Sequence, residues 1–74
     1  MSYDFYKNLG RNIKARRKVL GLTQQQLADK MDISLNFMGK IEVAFSKPSL
    51  DTLIEFADAL ETTVSDLTKF DNEI

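Results

Sequence analysis

The 74 residues contain no cysteine and no histidine. Without cysteine there is neither a disulfide nor a thiolate metal site, which fits a reducing compartment. Without histidine, acid–base chemistry near neutral pH would need a strongly shifted carboxylate or lysine. The three glycines, Gly10, Gly21 and Gly39, form neither G-x-x-x-x-G-K-[ST] nor G-x-G-x-x-G, so no phosphate-cradling loop is present. Serines occur without a base to activate them, and metal-ligand spacing is missing. No apolar run is long enough to span a bilayer, and the N-terminus has no signal-peptide pattern. These absences argue against an enzyme. They predict a soluble, cytoplasmic protein with no cofactor, no metal and no membrane association.

Length sets a second bound. A chain of 74 residues reads as one small domain, residues 1–74, near the size at which a single core is marginal. Extra burial is therefore expected, most simply in a dimer. The net charge of −1 conceals a division along the chain. Residues 1–48 hold nine Lys/Arg against four Asp/Glu, a local balance of +5. Residues 49–74 hold one Lys against seven acids, a balance of −6. An acidic total can thus hide a basic face, and phosphate responds to the local field.

The stretch that organises the rest runs from Thr23 to Glu42, T-Q-Q-Q-L-A-D-K-M-D-I-S-L-N-F-M-G-K-I-E. Thr23 is a good N-cap, and Gln26 completes a T-x-x-Q capping box. Leu27, Ala28 and Met31 then give an apolar face at helical spacing. Asp32 and Ile33 leave room only for a tight turn before Ser34 caps a second helix. On that helix Met38 and Ile41 point one way, with Phe45 one turn further on, while Leu35, Asn36, Gly39 and Lys40 point the other. Two short helices so arranged fit a helix-turn-helix offered to DNA. Periodicity alone fits a small helical bundle with a solvated face equally well.

Around this pair the spacing predicts three more helices, giving an all-α, five-helix architecture. The first runs from about Phe5 to Leu20 after a frayed start at residues 1–4, with Tyr6, Leu9, Ile13 and Leu20 inward and Gly21 closing it. Lys7, Arg11, Lys14, Arg16 and Lys18 cover most of the remaining surface. After a loop from Val43 to Pro48, Ser49 caps a fourth helix. Its Leu50, Leu53, Ile54, Phe56, Ala57 and Leu60 make it apolar over a wide arc, as a central helix would be. Thr63 and Asp66 open a short fifth helix containing Val64, Leu67 and Phe70. Arg17 and Glu42 both fall at inward positions, and burying either alone costs several kcal/mol, roughly 3–5. They are expected to meet as a structural ion pair.

Four segments now carry a resemblance: L-G-R-N-I-K-A-R-R, then G-L-T-Q-Q-Q-L-A, then I-S-L-N-F-M-G-K-I-E, then K-P-S-L-D-T-L-I-E-F-A-D-A-L. Together, from about Leu9 to Leu67, they resemble the Cro/repressor-type helix-turn-helix family, also called the xenobiotic-response-element family. The resemblance implies a compact lambda-repressor-like domain that binds double-stranded DNA and regulates transcription. It implies that Gln24 bonds a DNA phosphate, that Leu35, Asn36, Phe37 and Lys40 reach base edges, and that Ser46 and Lys47 touch backbone phosphates. A pair between the helix-one Arg and the recognition-helix Glu is also common in the family, matching Arg17 and Glu42.

Members this short resemble phage Cro proteins, restriction–modification controller proteins and other stand-alone regulators. Two departures stand out. Ala44 occupies a position where the family often has Gly, so either the recognition helix ends without a left-handed residue or Ala44 is strained. Leu35 and Phe37 make the reading face unusually apolar, suited to thymine methyl groups or to partial burial. A homodimer is expected, with Val64, Phe70 and Ile74 at its interface and Leu67 inward. The competing reading is an antitoxin-like or adaptor module that uses the same fold to bind protein without reading DNA.

Overall fold

The computed structural model describes residues 2–70. Among these residues five helices follow in order: α1 (Ser2–Val19), α2 (Gln24–Met31), α3 (Leu35–Glu42), α4 (Leu50–Ala59) and α5 (Val64–Leu67). No strand occurs among the described residues.

Four hydroxyl side chains start four helices. Thr23, Ser34, Ser49 and Thr63 each accept a hydrogen bond from the backbone N–H three residues on, at 3.0–3.1 Å. At α2 the box closes reciprocally, with Gln26 Oε1 accepting from the Thr23 N–H at 2.8 Å. Such caps satisfy N–H groups that a helix leaves unpaired, each worth about 0.5–2 kcal/mol. The C-terminal ends of α1 to α4 turn through the left-handed region. Gly21 (φ 72°) does so where only glycine is at ease, but Asp32 (φ 58°), Ala44 (φ 64°) and Glu61 (φ 58°) do so with a β-carbon. Of the two outcomes open for Ala44, the strained one is realised.

The helices enclose one core. Leu9 and Ile13 of α1, Leu27 and Ala28 of α2, Met38 and Ile41 of α3, Leu53 and Phe56 of α4, Leu60 just after it, and Leu67 of α5 are all buried. Each fully buried Leu, Ile or Phe contributes about 1.5–3 kcal/mol relative to exposure. Helices α1 and α3 approach each other very closely. A β-carbon placed on Gly10 would sit 2.5 Å from the Glu42 carbonyl oxygen and 2.7 Å from that of Ile41. The two backbones therefore touch where only glycine fits.

Three expectations about packing change. The first helix begins at Ser2, with no frayed segment at residues 2–4. Phe70 explains this, since its ring meets Phe5 edge-on at 5.3 Å and Phe5 in turn meets Tyr6 at 5.1 Å. Helix α4 is less fully buried than its wide apolar arc implies: Leu50 is 68% and Ile54 46% exposed. Phe45 leaves the seam of Met38 and Ile41 and stands 77% exposed. The helix ends at Glu42, and the left-handed turn at Ala44 redirects the chain, so helical spacing no longer governs where Phe45 points.

Candidate nucleic-acid interface

The pair α2–α3 is joined by a turn with few degrees of freedom. The Asp32 N–H closes onto Asp29 O at 3.2 Å and the Ile33 N–H onto Ala28 O at 3.0 Å, after which Ser34 starts α3 at once. Leu27, Ala28, Met38 and Ile41 fill the angle between the two helices. The opposite side of α3 faces solvent. Leu35 is 45% exposed and Asn36 is exposed. Phe37 is half-buried against the core, the second of the two outcomes its apolar character allowed. Next to Gly39 nothing lies within 4 Å of where a β-carbon would stand, so the middle of this face is open.

The far end of α3 is locked by a polar network. Arg17 Nε donates to Glu42 Oε2 at 2.7 Å and Nη2 donates to Oε1 at 3.1 Å. The two residues are only 7% and 6% exposed. Arg17 Nη1 donates to the Leu22 carbonyl at 2.8 Å, and Gln24 Nε2 donates to Glu42 Oε1 at 2.9 Å. No buried side-chain nitrogen or oxygen among the described residues is left without a partner. The ion pair is thus fork-shaped and hydrogen-bonded on both sides, the geometry in which burying two charges is tolerated. It joins α1, the turn before α2, the first residue of α2 and the last residue of α3.

Two lysines flank the open face, each set against an aromatic ring. Lys40 Nζ lies 5.7 Å from the centre of the Phe45 ring, and Lys47 Nζ lies 5.4 Å from that of Tyr6. Ser46 is half-buried, and its N–H donates to Lys40 O at 3.2 Å. Leu35, Asn36 and Lys40 therefore lie along α3, with Ser46 and Lys47 in the loop just beyond. Gln24 stands at the head of α2 with one amide hydrogen already used by Glu42.

Other predicted positions fall elsewhere. Val64 and Phe70 are half-buried against their own core, so only part of each side chain is open to a partner. Ile74 lies outside the described residues. Arg16, expected on the surface of α1, and Lys30 of α2 are both committed within the fold. Arg16 Nε and Nη2 donate to the carbonyls of Leu60 and Glu61 at 2.9 and 3.0 Å, and Lys30 Nζ donates to Ala59 O at 2.7 Å. Both cations close the C-terminal end of α4, where unpaired carbonyls and the helix dipole favour positive charge. Asn12 does the same beyond α5, donating to Leu67 O at 2.8 Å and Lys69 O at 3.1 Å. Sequence reasoning missed these three roles, because the partners are backbone atoms far along the chain and carry no residue code.

Among the described residues, no cluster of acidic side chains could hold a metal ion, and no helix is long and apolar enough to cross a membrane. Among the described residues, one open depression is lined by Lys30, Met31, Glu55, Asp58 and Ala59 and another lies between α1 and α5, both away from α3.

A short capped helix, a tight turn and a second helix with its outer face open and its inner face locked define a helix-turn-helix. The chain belongs to the helix-turn-helix family, whose model matches residues 13–67, and its relatives place it among Cro/repressor-type members. It is 46% identical over 57 residues to the immunity repressor protein of Bacillus phage phi105, covering 77% of this chain and 40% of that protein. It is 38% identical over 52 residues to the cryptic phage CTXphi transcriptional repressor RstR of Vibrio cholerae, covering 70% of this chain and 46% of that one. The control protein C.SmaI of Serratia marcescens is 33% identical over 64 residues, 86% of this chain and 76% of that protein. The chain spans less than half the length of the first two relatives. What it shares with all three is the domain of a DNA-binding regulator and not that of an enzyme. No solved structure matches it significantly.

Proposed function

We propose that this protein is a sequence-specific transcription regulator that binds an inverted-repeat operator as a homodimer, with α3 in the major groove. One observation supports this most strongly: α3 presents Leu35 and Asn36 outward while Arg17, Glu42 and Gln24 fix its far end to the rest of the fold. A helix that reads bases must be held in register, because each base contact depends on placement to within a fraction of an ångström. Relatives named as repressors support the same reading.

In this reading Asn36 bonds adenine N6 and N7 together, and Lys40 donates to guanine O6 and N7. Leu35 and the outer part of Phe37 contact thymine methyl groups. Gln24 offers its second amide hydrogen to a phosphate, and Ser46 and Lys47 hold the backbone of the duplex, setting position without reading sequence. Two copies are needed because one short helix spans only a few base pairs. The twofold contact draws on the C-terminal third: the open parts of Val64 and Phe70, and Ile74.

The test is a mobility shift on the DNA upstream of the protein's own gene, searched for an inverted repeat, with scrambled DNA as reference and several salt concentrations. Asn36→Ala and Lys40→Ala are each expected to lose about 1–3 kcal/mol of discrimination while staying folded. Full operator preference in both variants would refute the assignment of the reading face.

A further inference from the structure

Phe45 is the most exposed large apolar side chain among the described residues, at 77%. A phenylalanine so placed adds almost nothing to the core. Its position is nonetheless set from several directions. The Phe45 N–H donates to Lys40 O at 2.7 Å, the Ser46 N–H donates to the same oxygen at 3.2 Å, and Ala44 turns the chain through φ 64° to bring this about. The ring that results lies 5.7 Å from the ammonium of Lys40 itself. Lys40 therefore anchors the loop through its carbonyl, and the loop returns an aromatic face to its side chain.

A lysine on the open face of a helix ordinarily samples many rotamers, and ordering it on a base edge is opposed by that lost freedom. An aromatic face favours positions in which the ammonium stays near the ring. We propose that Phe45 is a specificity-determining residue: it positions the Lys40 ammonium for one base pair of each half-site and keeps hold of it in the complex. The proposal rests on the reading of Lys40 as a base contact. It assigns a role in recognition to a residue beyond the end of the recognition helix.

The experiment uses a duplex recovered from a randomised pool by the wild-type protein, together with duplexes in which each base pair of one half-site is replaced in turn. Dissociation constants give a discrimination ratio at each position for wild type, Lys40→Ala, Phe45→Leu, Phe45→Trp and the Lys40→Ala/Phe45→Leu double variant. Lys40→Ala is expected to lose discrimination at one base pair. Phe45→Leu should lower the ratio at that same base pair by about two- to fivefold, the range of an exposed cation–π contact, and leave the other positions unchanged. Phe45→Trp should retain it, and Phe45→Leu should have no further effect once Lys40 is gone. The thermal midpoint of Phe45→Leu should match that of wild type.

A uniform loss on all duplexes would overturn the proposal by making the ring a direct DNA contact. So would an unchanged ratio, or an increased one, which would mean that Lys40 must leave the ring to bind. If Lys40→Ala alters no ratio, or the wild type recovers no duplex, the base-reading assignment falls together with the proposal. A normal Lys40→Ala loss beside an unaffected Phe45→Leu sinks the proposal alone.

Discussion

Removing one partner of the Arg17–Glu42 pair should damage this protein more than removing both. The side chains are 8% and 1% exposed, so neither charge has a free path to water. With Arg17 replaced by Met, Glu42 keeps a single donor, Gln24 Nε2. With Glu42 replaced by Leu, Arg17 keeps the Leu22 carbonyl, and its longer stem gives it some reach toward solvent. Each single variant should lose roughly 3–5 kcal/mol, with Arg17→Met the worse of the two because the carboxylate is the more enclosed. For a domain of this size that loss lowers the thermal midpoint by roughly 12–40 °C, a large part of the total stability. The double variant Arg17→Met/Glu42→Leu strands only the Gln24 amide and one carbonyl, so it should be more stable than either single variant. Urea unfolding of all four proteins, followed by circular dichroism, closes the cycle. A coupling energy of roughly 2–3 kcal/mol or more is expected, and one below about 0.5 kcal/mol would refute the claim that the two charges depend on each other.

Four further outcomes are expected. Lys47→Ala should weaken all duplexes alike and make the slope of log affinity against log salt shallower by about one unit, and an unchanged slope would remove Lys47 from the phosphate contacts. Gly10→Ala should destabilise by roughly 1–3 kcal/mol despite the better helix propensity of alanine, because the new β-carbon meets two carbonyl oxygens of α3; urea unfolding measures the sign. Ala44→Gly should stabilise by about 0.5–1 kcal/mol, the left-handed penalty less the added entropy of glycine, and a loss of stability would contradict strain at that turn. Sedimentation equilibrium should show a wild-type dimer that Phe70→Ser disrupts and Leu50→Ser/Ile54→Ser does not. The reverse pattern would move the interface to the exposed face of α4, and a wild type monomeric at micromolar concentration, with or without DNA, would refute the dimer.

What the sequence discloses about this fold is chiefly what lies close along the chain. All four N-caps are readable because a hydroxyl and the N–H it accepts are three positions apart. The pairing of Arg17 with Glu42 is readable because two inward charges have few ways to be satisfied. Gly10 is different. In a helix a glycine looks like a mere weakness, and only the approach of α3 shows why no other residue fits. Arg16 reads as a surface cation and Lys30 has no role legible in the sequence, although each closes the end of α4 through carbonyls that any residue could supply. The site follows the same division. Asn36 and Lys40 are placed on the open face by periodicity, whereas Phe45 is placed by a turn whose left-handed residue carries no glycine to announce it.

Those left-handed turns have a consequence for the life of the molecule. Two of the described corners between helices, at Ala44 and Glu61, bend through a residue that resists the bend, while a third, at Asp32, uses a residue that tolerates it. At about 0.5–1 kcal/mol each for Ala44 and Glu61, the unfolded population is roughly 5- to 30-fold larger than in the same fold with glycine there. Inside a cell, proteases act on that population. Where cleavage follows that population, the corners bear on clearance as well as shape: the same fold with glycine at those two corners should persist longer once its synthesis stops.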